Sequence, residues 1–155
     1  MPKETQLVQL LFSSLQQLNH EAMAACYSEA ATFSDIAFQL QGRKQIHAMW
    51  HMICQTGIDV QVRSIEADGN VVRARITDTY VFSDTGRKVV NDIESSFEFR
   101  GGLISVQRDT CDPLRWARQA FGGFKGELVG RVGFLRRMAA RGKIRKFIAS
   151  RPEYV

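Results

Sequence analysis

Asp35 is the acidic residue whose neighbours most suggest chemistry. It lies among Phe33, Ile36 and Phe38, in a segment that is otherwise mostly apolar. An ionised carboxylate is costly to bury without a partner, so such a residue either reaches the surface or serves as a proton carrier at the mouth of a pocket. The sequence therefore presents Asp35 as a candidate general base. A rim carboxylate that pairs with a nearby arginine is the alternative.

Other acidic residues could share that pocket. Asp78 falls on the apolar side of a predicted strand, and Asp109 lies at the end of another, shortly before Asp112. Carboxylates that face one cavity push their pKa values apart and divide the acid and base roles. Structural ion pairing with arginines is the alternative that we favour for these acids.

Two histidines and a tyrosine complete the candidate catalytic set. His47 and His51 lie one helical turn apart, a spacing that could present two imidazoles to one metal ion. No third ligand is evident, so we expect no metal site, and His51 is instead a candidate proton shuttle. Tyr27 is a candidate hydrogen-bond donor that assists Asp35.

Aromatic residues are frequent, and some should line a cavity, because ligand sites are mainly apolar with a few polar groups. The sequence holds no nucleotide fingerprint, phosphate loop or Ser-His-Asp order, so we expect no cofactor. The expected substrate pocket comprises Phe33, Trp50, Asp78, Tyr80, Asn91 and Phe97.

The elements that position these residues follow from the spacing of the apolar side chains. The period changes from about 3.6 to 2 near residue 57. Helices are predicted over 4–18, 21–27 and 43–54, an extended run over 32–38, and strands over 58–67, 71–82, 88–99 and 103–111. Three helices followed by a four-stranded meander predict an α+β fold, with the helices gathered on one face of a curved mixed or antiparallel sheet.

The chain resembles the SnoaL-like branch of the nuclear transport factor 2-like superfamily over about residues 4–112. The resemblance rests on Tyr-x-x-x-Ala-Thr-x-x-Asp at 27–35, Gly-Arg-x-x-Ile at 42–46 and the end of the meander at 108–113. It implies a cone with an internal pocket, often a homodimer formed across the sheet. The superfamily includes ketosteroid isomerase and limonene-1,2-epoxide hydrolase, so the fold does not fix the reaction.

Both enzymes can be compared with this sequence residue by residue. Asp35 falls at the place of the ketosteroid isomerase base, but Leu11 and Ser95 occupy the places of its oxyanion donors, so steroid isomerisation is not expected. Epoxide hydrolysis uses an Asp-Arg-Asp set, whose types Asp35, Arg108 or Arg75, and Asp109 could supply. Strand alternation argues against a simple match, because Arg108 and Asp109 should face opposite ways.

The last forty residues differ in charge from the rest. The 155-residue chain has a net charge of +5, yet residues 115–155 hold 11 of its 21 Lys and Arg and only two of its 16 acids. We predict a SnoaL-like domain over 1–113 and a basic helical C-terminal extension over 114–155. The extension should have a short helix at 114–121, a glycine hinge at 122–126 and a helix break at Gly142. Its expected apolar stripe comprises Leu128, Val132, Leu135 and Ala139.

Three partners for this basic extension are considered. Docking on the acidic body or on a dimer mate is favoured, peripheral contact with an anionic membrane is the second alternative, and nucleic acid is not expected. No apolar run approaches the ~20 residues that span a bilayer, and the first residues have no signal-peptide core. Three cysteines in no metal or disulfide spacing indicate reduced thiols, so we expect a cytoplasmic location. The expected homodimer is what the family resemblance implies.

The predicted function is binding of a small apolar molecule. Isomerisation, elimination or hydrolysis without a cofactor would use Asp35 as the base, assisted by Tyr27, Asp109 or His51. A non-catalytic ligand-binding or protein-interaction module is the alternative.

Overall fold

The computed structural model describes residues 2–155, which form six α-helices, a short 3-10 helix and six strands. The helices are α1 (Lys3–Gln16), α2 (His20–Ala24), α3 (Arg43–Thr56), α4 (Pro113–Ala120), α5 (Gly123–Arg131) and α6 (Gly133–Ala149), and the 3-10 helix covers Pro152–Tyr154. The strands are β1 (Tyr27–Ser34), β2 (Gln39–Gln41), β3 (Asp59–Asp68), β4 (Val71–Phe82), β5 (Arg87–Arg100) and β6 (Leu103–Thr110).

All six strands belong to one curved, open sheet in the order β2-β1-β6-β5-β4-β3. Strand β1 runs parallel to β6, while the other neighbours are antiparallel. The arrangement confirms the predicted α+β class with a mixed sheet. The parallel pairing sets Ser34 opposite Arg108, so the segment that follows β1 lies beside the end of β6.

The core lies between the sheet and the first three helices. The alternation predicted for β4 and β5 is confirmed over most of their length, because Ala74, Ile76 and Phe97 are buried while Arg73, Arg75 and Glu94 on the other face are exposed. Thr77 is an exception, since it is buried on the outer face. In β3 the alternation is interrupted by a register shift between Val62 and Ser64, which leaves Val62 37% exposed. Side chains from the helices fill the space against this face: Val8, Leu11, Phe12, Leu15, Ile46 and Met49.

Two predicted boundaries near Tyr27 are wrong. The second helix ends at Ala24, and Tyr27 opens β1 by pairing with Ile104. The extended run ends at Ser34, because Asp35 starts a turn in which its backbone N–H bonds to the Phe38 carbonyl. The first error arises because a strand pairing distant in sequence outweighs the local preference. The second arises because the Asp35 side chain and backbone form a local turn.

The C-terminal segment is more continuous than predicted. Residues 122–126 are not a hinge but lead into and begin α5, and Gly142 lies within α6 rather than ending it. The predicted stripe is also wrong: Leu128 and Val132 are 43% and 37% exposed, whereas Ala140 and Ile144 are the buried residues of α6. No helix among residues 2–155 combines the length and apolarity needed to cross a bilayer.

Helix α4 is tied to the sheet at a defined point. The Asp112 side chain caps it by accepting hydrogen bonds from the backbone of Leu114 and Arg115. Farther along, the Gln119 side chain bonds to both backbone groups of Val90 on β5, at 2.8 and 3.0 Å. The C-terminal helices are thereby held against the open side of the sheet.

Candidate functional site

A cavity of about 240 Å³ lies between the concave face of the sheet, α3 and the C-terminal helices. Its walls are mostly apolar and aromatic, which suits a small hydrophobic ligand. The large side chains that line it are Phe33, Trp50, Ile53, Tyr80, Phe82 and Trp116.

Four carboxyl groups line this cavity, of which that of Asp84 pairs with Lys143. The other three are those of Asp35, Asp78 and Asp109. They come from separate elements: the turn after β1, the middle of β4 and the end of β6. Asp78 lies opposite Asn91 in the β4–β5 register, and Asp109 lies opposite Ser95 in the β5–β6 register. The sheet therefore brings together acids that are distant in sequence.

Asp78 is a buried acid whose hydrogen-bonding capacity is not used. Its side chain is buried, the residue is only 8% exposed, and Oδ1 has no hydrogen-bond partner among the described residues. Burial raises the pKa of Asp78 to about 7, and the charges of Asp109 and Asp59 add to the shift. A carboxyl group with this pKa exchanges protons readily at neutral pH.

Asp109 is held by a chain of buried hydrogen bonds. The Trp50 indole N–H donates to the Tyr27 hydroxyl, which donates to Gln107 Oε1, and Gln107 Nε2 donates to Asp109 Oδ1 at 3.0 Å. Burial raises the pKa of Asp109 to about 7 against the lowering effect of Gln107 and Ser95, with the Asp35 charge raising it further. These hydrogen bonds fix both the orientation and the environment of the Asp109 carboxyl group.

Tyr27 therefore lies behind the site and not in it. The residue is fully buried and does not line the cavity, and burial raises the pKa of its hydroxyl well above the ordinary value. Its hydroxyl reaches Asp109 only through Gln107.

Asp35 lines the cavity and also holds its own loop. Its Oδ1 accepts hydrogen bonds from the backbone N–H groups of Ala37 and Phe38, at 2.7 and 2.6 Å. Burial raises the pKa of Asp35 above its ordinary value, and these two hydrogen bonds offset only part of the rise, because they favour the ionised form. The same turn that brings Asp35 to the cavity thus supports its negative charge.

His51 lies outside the cavity, on the face of α3 that meets the C-terminus. Its ring stacks on His20 with centroids 3.8 Å apart, and its Nδ1 lies 2.8 Å from the Tyr154 hydroxyl. Burial lowers the pKa of His51, and the neighbouring His20 lowers it further. Within residues 2–155, no group of three His, Cys, Asp or Glu side chains has a geometry that could hold a metal ion.

Five of the six expected pocket residues line the cavity, and Phe97 does not. Phe97 is fully buried in the core and meets the Phe12 ring edge-on. The arginines considered for an Asp-Arg-Asp set also lie elsewhere, because Arg75 pairs with Glu94 and Arg108 with Glu98 at the solvent-exposed surface. Neither guanidinium reaches the three acids.

One wall of the cavity is formed by the C-terminal helices, which was not predicted from the sequence. Trp116 donates a hydrogen bond of 2.7 Å from its indole nitrogen to the Tyr80 hydroxyl, and Phe121 lines the cavity beside it. Arg136 and Lys143 of α6 line the cavity as well. The sequence feature that could have predicted this wall is Trp116. It is a large aromatic residue in the first turn of a helix whose start is marked by Asp112 and Pro113.

The comparisons identify a family. The SnoaL-like domain model matches residues 8–107, which confirms the resemblance predicted from the motifs. No match was found among the curated proteins.

Solved structures share the fold at low identity. An LEH-like epoxide hydrolase from M. tuberculosis is 21% identical and matches 86% of this chain and 95% of its own, with a TM-score of 0.65. A proposed polyketide cyclase from Xanthomonas campestris pv. campestris is 21% identical over 76% of this chain and 96% of its own, with a TM-score of 0.65. An NTF2-like protein of unknown function from Burkholderia pseudomallei K96243 is 10% identical over 78% and 99%, with a TM-score of 0.67. At these identities the likeness shows the fold alone.

Proposed function

The chain belongs to the SnoaL-like domain family, a small-molecule-binding family, and on that premise we propose that it is an acid–base enzyme that needs no cofactor. Its substrate is a small hydrophobic molecule with a carbon–oxygen bond that opens on protonation. The observation that carries the proposal is the set of three carboxyl groups, outside any salt bridge, in one largely apolar cavity, two of them with a pKa of about 7.

Asp109 is the proposed general acid. At a pKa of about 7 it is protonated in a large fraction of molecules at neutral pH, so it can give a proton to a substrate oxygen. Its attachment to Gln107 holds the carboxyl group in one orientation. Asp78, which lines the same cavity and has a similar pKa, can relay the proton gained by the general base back to Asp109 after turnover.

Asp35 is the proposed general base. Two backbone N–H groups favour its ionised form, which is the form that accepts a proton from water or from a substrate C–H bond. The proton gained by Asp35 and the proton lost by Asp109 balance over the reaction. Environments that treat two carboxyl groups differently are the usual origin of such a division of roles.

The surroundings of the acids favour opening of a C–O bond over formation of an enolate. An enolate needs preorganised donors or cations at the developing oxyanion. Arg136 lines the cavity, but its N–H groups donate to the carbonyls of Ile36, Val129 and Gly130, and Lys143 pairs with Asp84 at 2.9 Å. A proton from Asp109 neutralises the leaving oxygen without a separate cation, as in epoxide hydrolysis or dehydration.

Turnover of a substrate panel tests the proposal. The purified 155-residue chain is incubated with terpene epoxides and tertiary terpene alcohols in ¹⁸O-labelled water, and products are followed by mass spectrometry. Asp109→Asn and Asp35→Asn should each lower kcat by about 10²–10⁴-fold. Asp92→Asn, an acid on the exposed outer face of β5, is the matched control and should retain activity.

Native mass spectrometry of the same preparation separates the alternative function. A bound apolar molecule together with no turnover on the panel would favour a non-catalytic ligand-binding module. The same spectrum tests the expected homodimer, which stays a prediction. The division at residues 113 and 114 and the cytoplasmic location also stay predictions.

A further inference from the structure

A second cavity, of about 230 Å³, lies between α6 and the segment that runs through β2 to the start of α3. We call it the arginine groove, because one side of it is formed by Arg137, Arg141 and Arg145. The opposite side includes Gln39 and Gln45. Apolar side chains complete it, namely Leu40, Ile144 and Ile148.

The three arginines form a line of positive charge. They recur every four residues on α6, so they share one face of the helix and their Cα atoms span about 12 Å at 1.5 Å per residue. Like charges at this spacing repel each other and destabilise a helix. An anion bound against the three arginines would reduce this repulsion and stabilise the helix.

The described residues supply no acid to this row. Across residues 2–155, none of the three arginines is in a salt bridge, although other cations of the same region are paired. Arg131 of α5 pairs with Glu127, and Lys143 of α6 pairs with Asp84. The groove thus combines unneutralised charge with a concave shape, and the neutral amides of Gln39 and Gln45 add hydrogen-bonding groups.

We propose that the arginine groove binds the diphosphate group of a small organic molecule. The planar guanidinium group donates two parallel hydrogen bonds to phosphate oxygens, which makes arginine well suited to this anion. Three cations along about 12 Å exceed the charge of a single phosphate and match two adjacent ones. The apolar residues beside the arginines provide contact for the organic part of the ligand. The proposal does not depend on the reaction assigned to the main cavity.

Calorimetry with inorganic pyrophosphate tests the site in the whole 155-residue chain. Pyrophosphate should bind, and inorganic phosphate should bind at least tenfold more weakly. The double variant Arg141→Gln/Arg145→Gln should lose at least tenfold in pyrophosphate affinity, since each charge-assisted contact removed is expected to carry about that factor. Side-chain amide NMR signals of Gln39 and Gln45 should shift on binding to the natural protein.

A control variant that loses the same number of positive charges distinguishes binding in the groove from general attraction of pyrophosphate to a basic protein. Lys125→Gln/Lys146→Gln removes two positive charges from α5 and α6 without touching the groove, and it should bind pyrophosphate within twofold of the natural protein. Equal weakening in both double variants would overturn the proposal. Equal affinity for phosphate and pyrophosphate would refute the diphosphate assignment. Binding only to vesicles that contain phosphatidylserine, with none to pyrophosphate, would assign the charge to a membrane surface instead.

Discussion

Replacement of Asp78 by Asn should make the protein more stable at neutral and alkaline pH. The carboxyl group of Asp78 is buried without a partner for Oδ1, and burial raises its pKa from 3.8 to about 7. An acid whose pKa is raised by folding binds its proton more tightly in the folded chain. Stability therefore falls as the pH rises from about 4 to about 7, because the unfolded chain ionises first.

The magnitude follows from the pKa difference. A rise from 3.8 to about 7 is roughly three pH units, and at 1.36 kcal/mol per unit the ionised form costs about 4 kcal/mol of folding free energy above pH 7. Below pH 4 the group is protonated in both states and the cost vanishes. Part of the cost is shared with Asp109, whose charge contributes to the shift, so about 4 kcal/mol is the upper limit for Asp78→Asn.

Urea unfolding of both proteins between pH 4 and pH 8 measures this difference. The gain in stability from Asp78→Asn should be close to zero at pH 4 and grow steadily to pH 7. Asp92→Asn is the control. Hydrogen bonds from Thr77 and Arg115 lower the pKa of that exposed carboxyl, so it stays ionised in the folded protein over this range. The effect of Asp92→Asn on stability should therefore be nearly the same at each pH. A gain that does not depend on pH, or a loss of stability at pH 8, would refute the reasoning.

Further predictions concern packing and the buried hydrogen-bond chain. Gly130→Ala should destabilise the protein by about 1–3 kcal/mol, because the added Cβ would lie 2.8 Å from Leu114 Cδ1 and 2.9 Å from its Cα. Gly142→Ala, with no atom within 4 Å of the new Cβ, should stabilise α6 by up to about 1 kcal/mol. Thermal unfolding of the two variants checks both signs. Tyr27→Phe removes the donor to Gln107 and should lower the free energy of unfolding in urea by about 1–3 kcal/mol. Unchanged stability would show that this hydrogen bond does not stabilise the fold.

The meander was predictable because its signal is local. Alternating apolar residues and Gly-containing turns placed β4 at 71–82, with its bounds as the structure has them, and β5 within a residue of its ends. The inward direction of Asp78 followed from the same alternation, since it shares the face of Ala74 and Ile76. Candidate acids on regular strands could therefore be assigned to the concave face from sequence.

The position of Asp35 relative to Asp109 depends on information that no local pattern holds. It arises from the parallel pairing of β1 with β6, two strands separated by the whole meander. The same pairing converts Tyr27 from a helix residue into a strand residue and directs its hydroxyl to Gln107. Pairing between distant strands is decided by packing and not by local preference, which is why the candidate site could be assembled only in part from sequence.

The C-terminal helices show why glycine alone is a weak predictor of structure. The sequence predicted a hinge that includes Gly126, yet Gly126 and Gly130 each lie where an added Cβ would meet α4 within 3.0 Å, at the Ala117 carbonyl and at Leu114. Their role is to let α5 approach α4 closely. Closely spaced glycines occur both in flexible hinges and in helices that pack closely on a neighbour. The sequence of one helix does not distinguish the two cases, because it does not show which helix lies next to it.

This close packing also bears on the choice of substrate. The family model ends at residue 107, but one wall of the cavity is built from α4, α5 and α6. The three acids lie on the sheet side of the cavity, whereas Trp116, Phe121 and Lys143 lie on the other side. Asp35 and Asp78 lie within the matched residues and Asp109 lies two positions past them, whereas much of the opposite wall comes from the C-terminal segment. Under the proposed function, relatives that keep the acids and differ in this segment are expected to perform similar proton transfers on ligands of different shape.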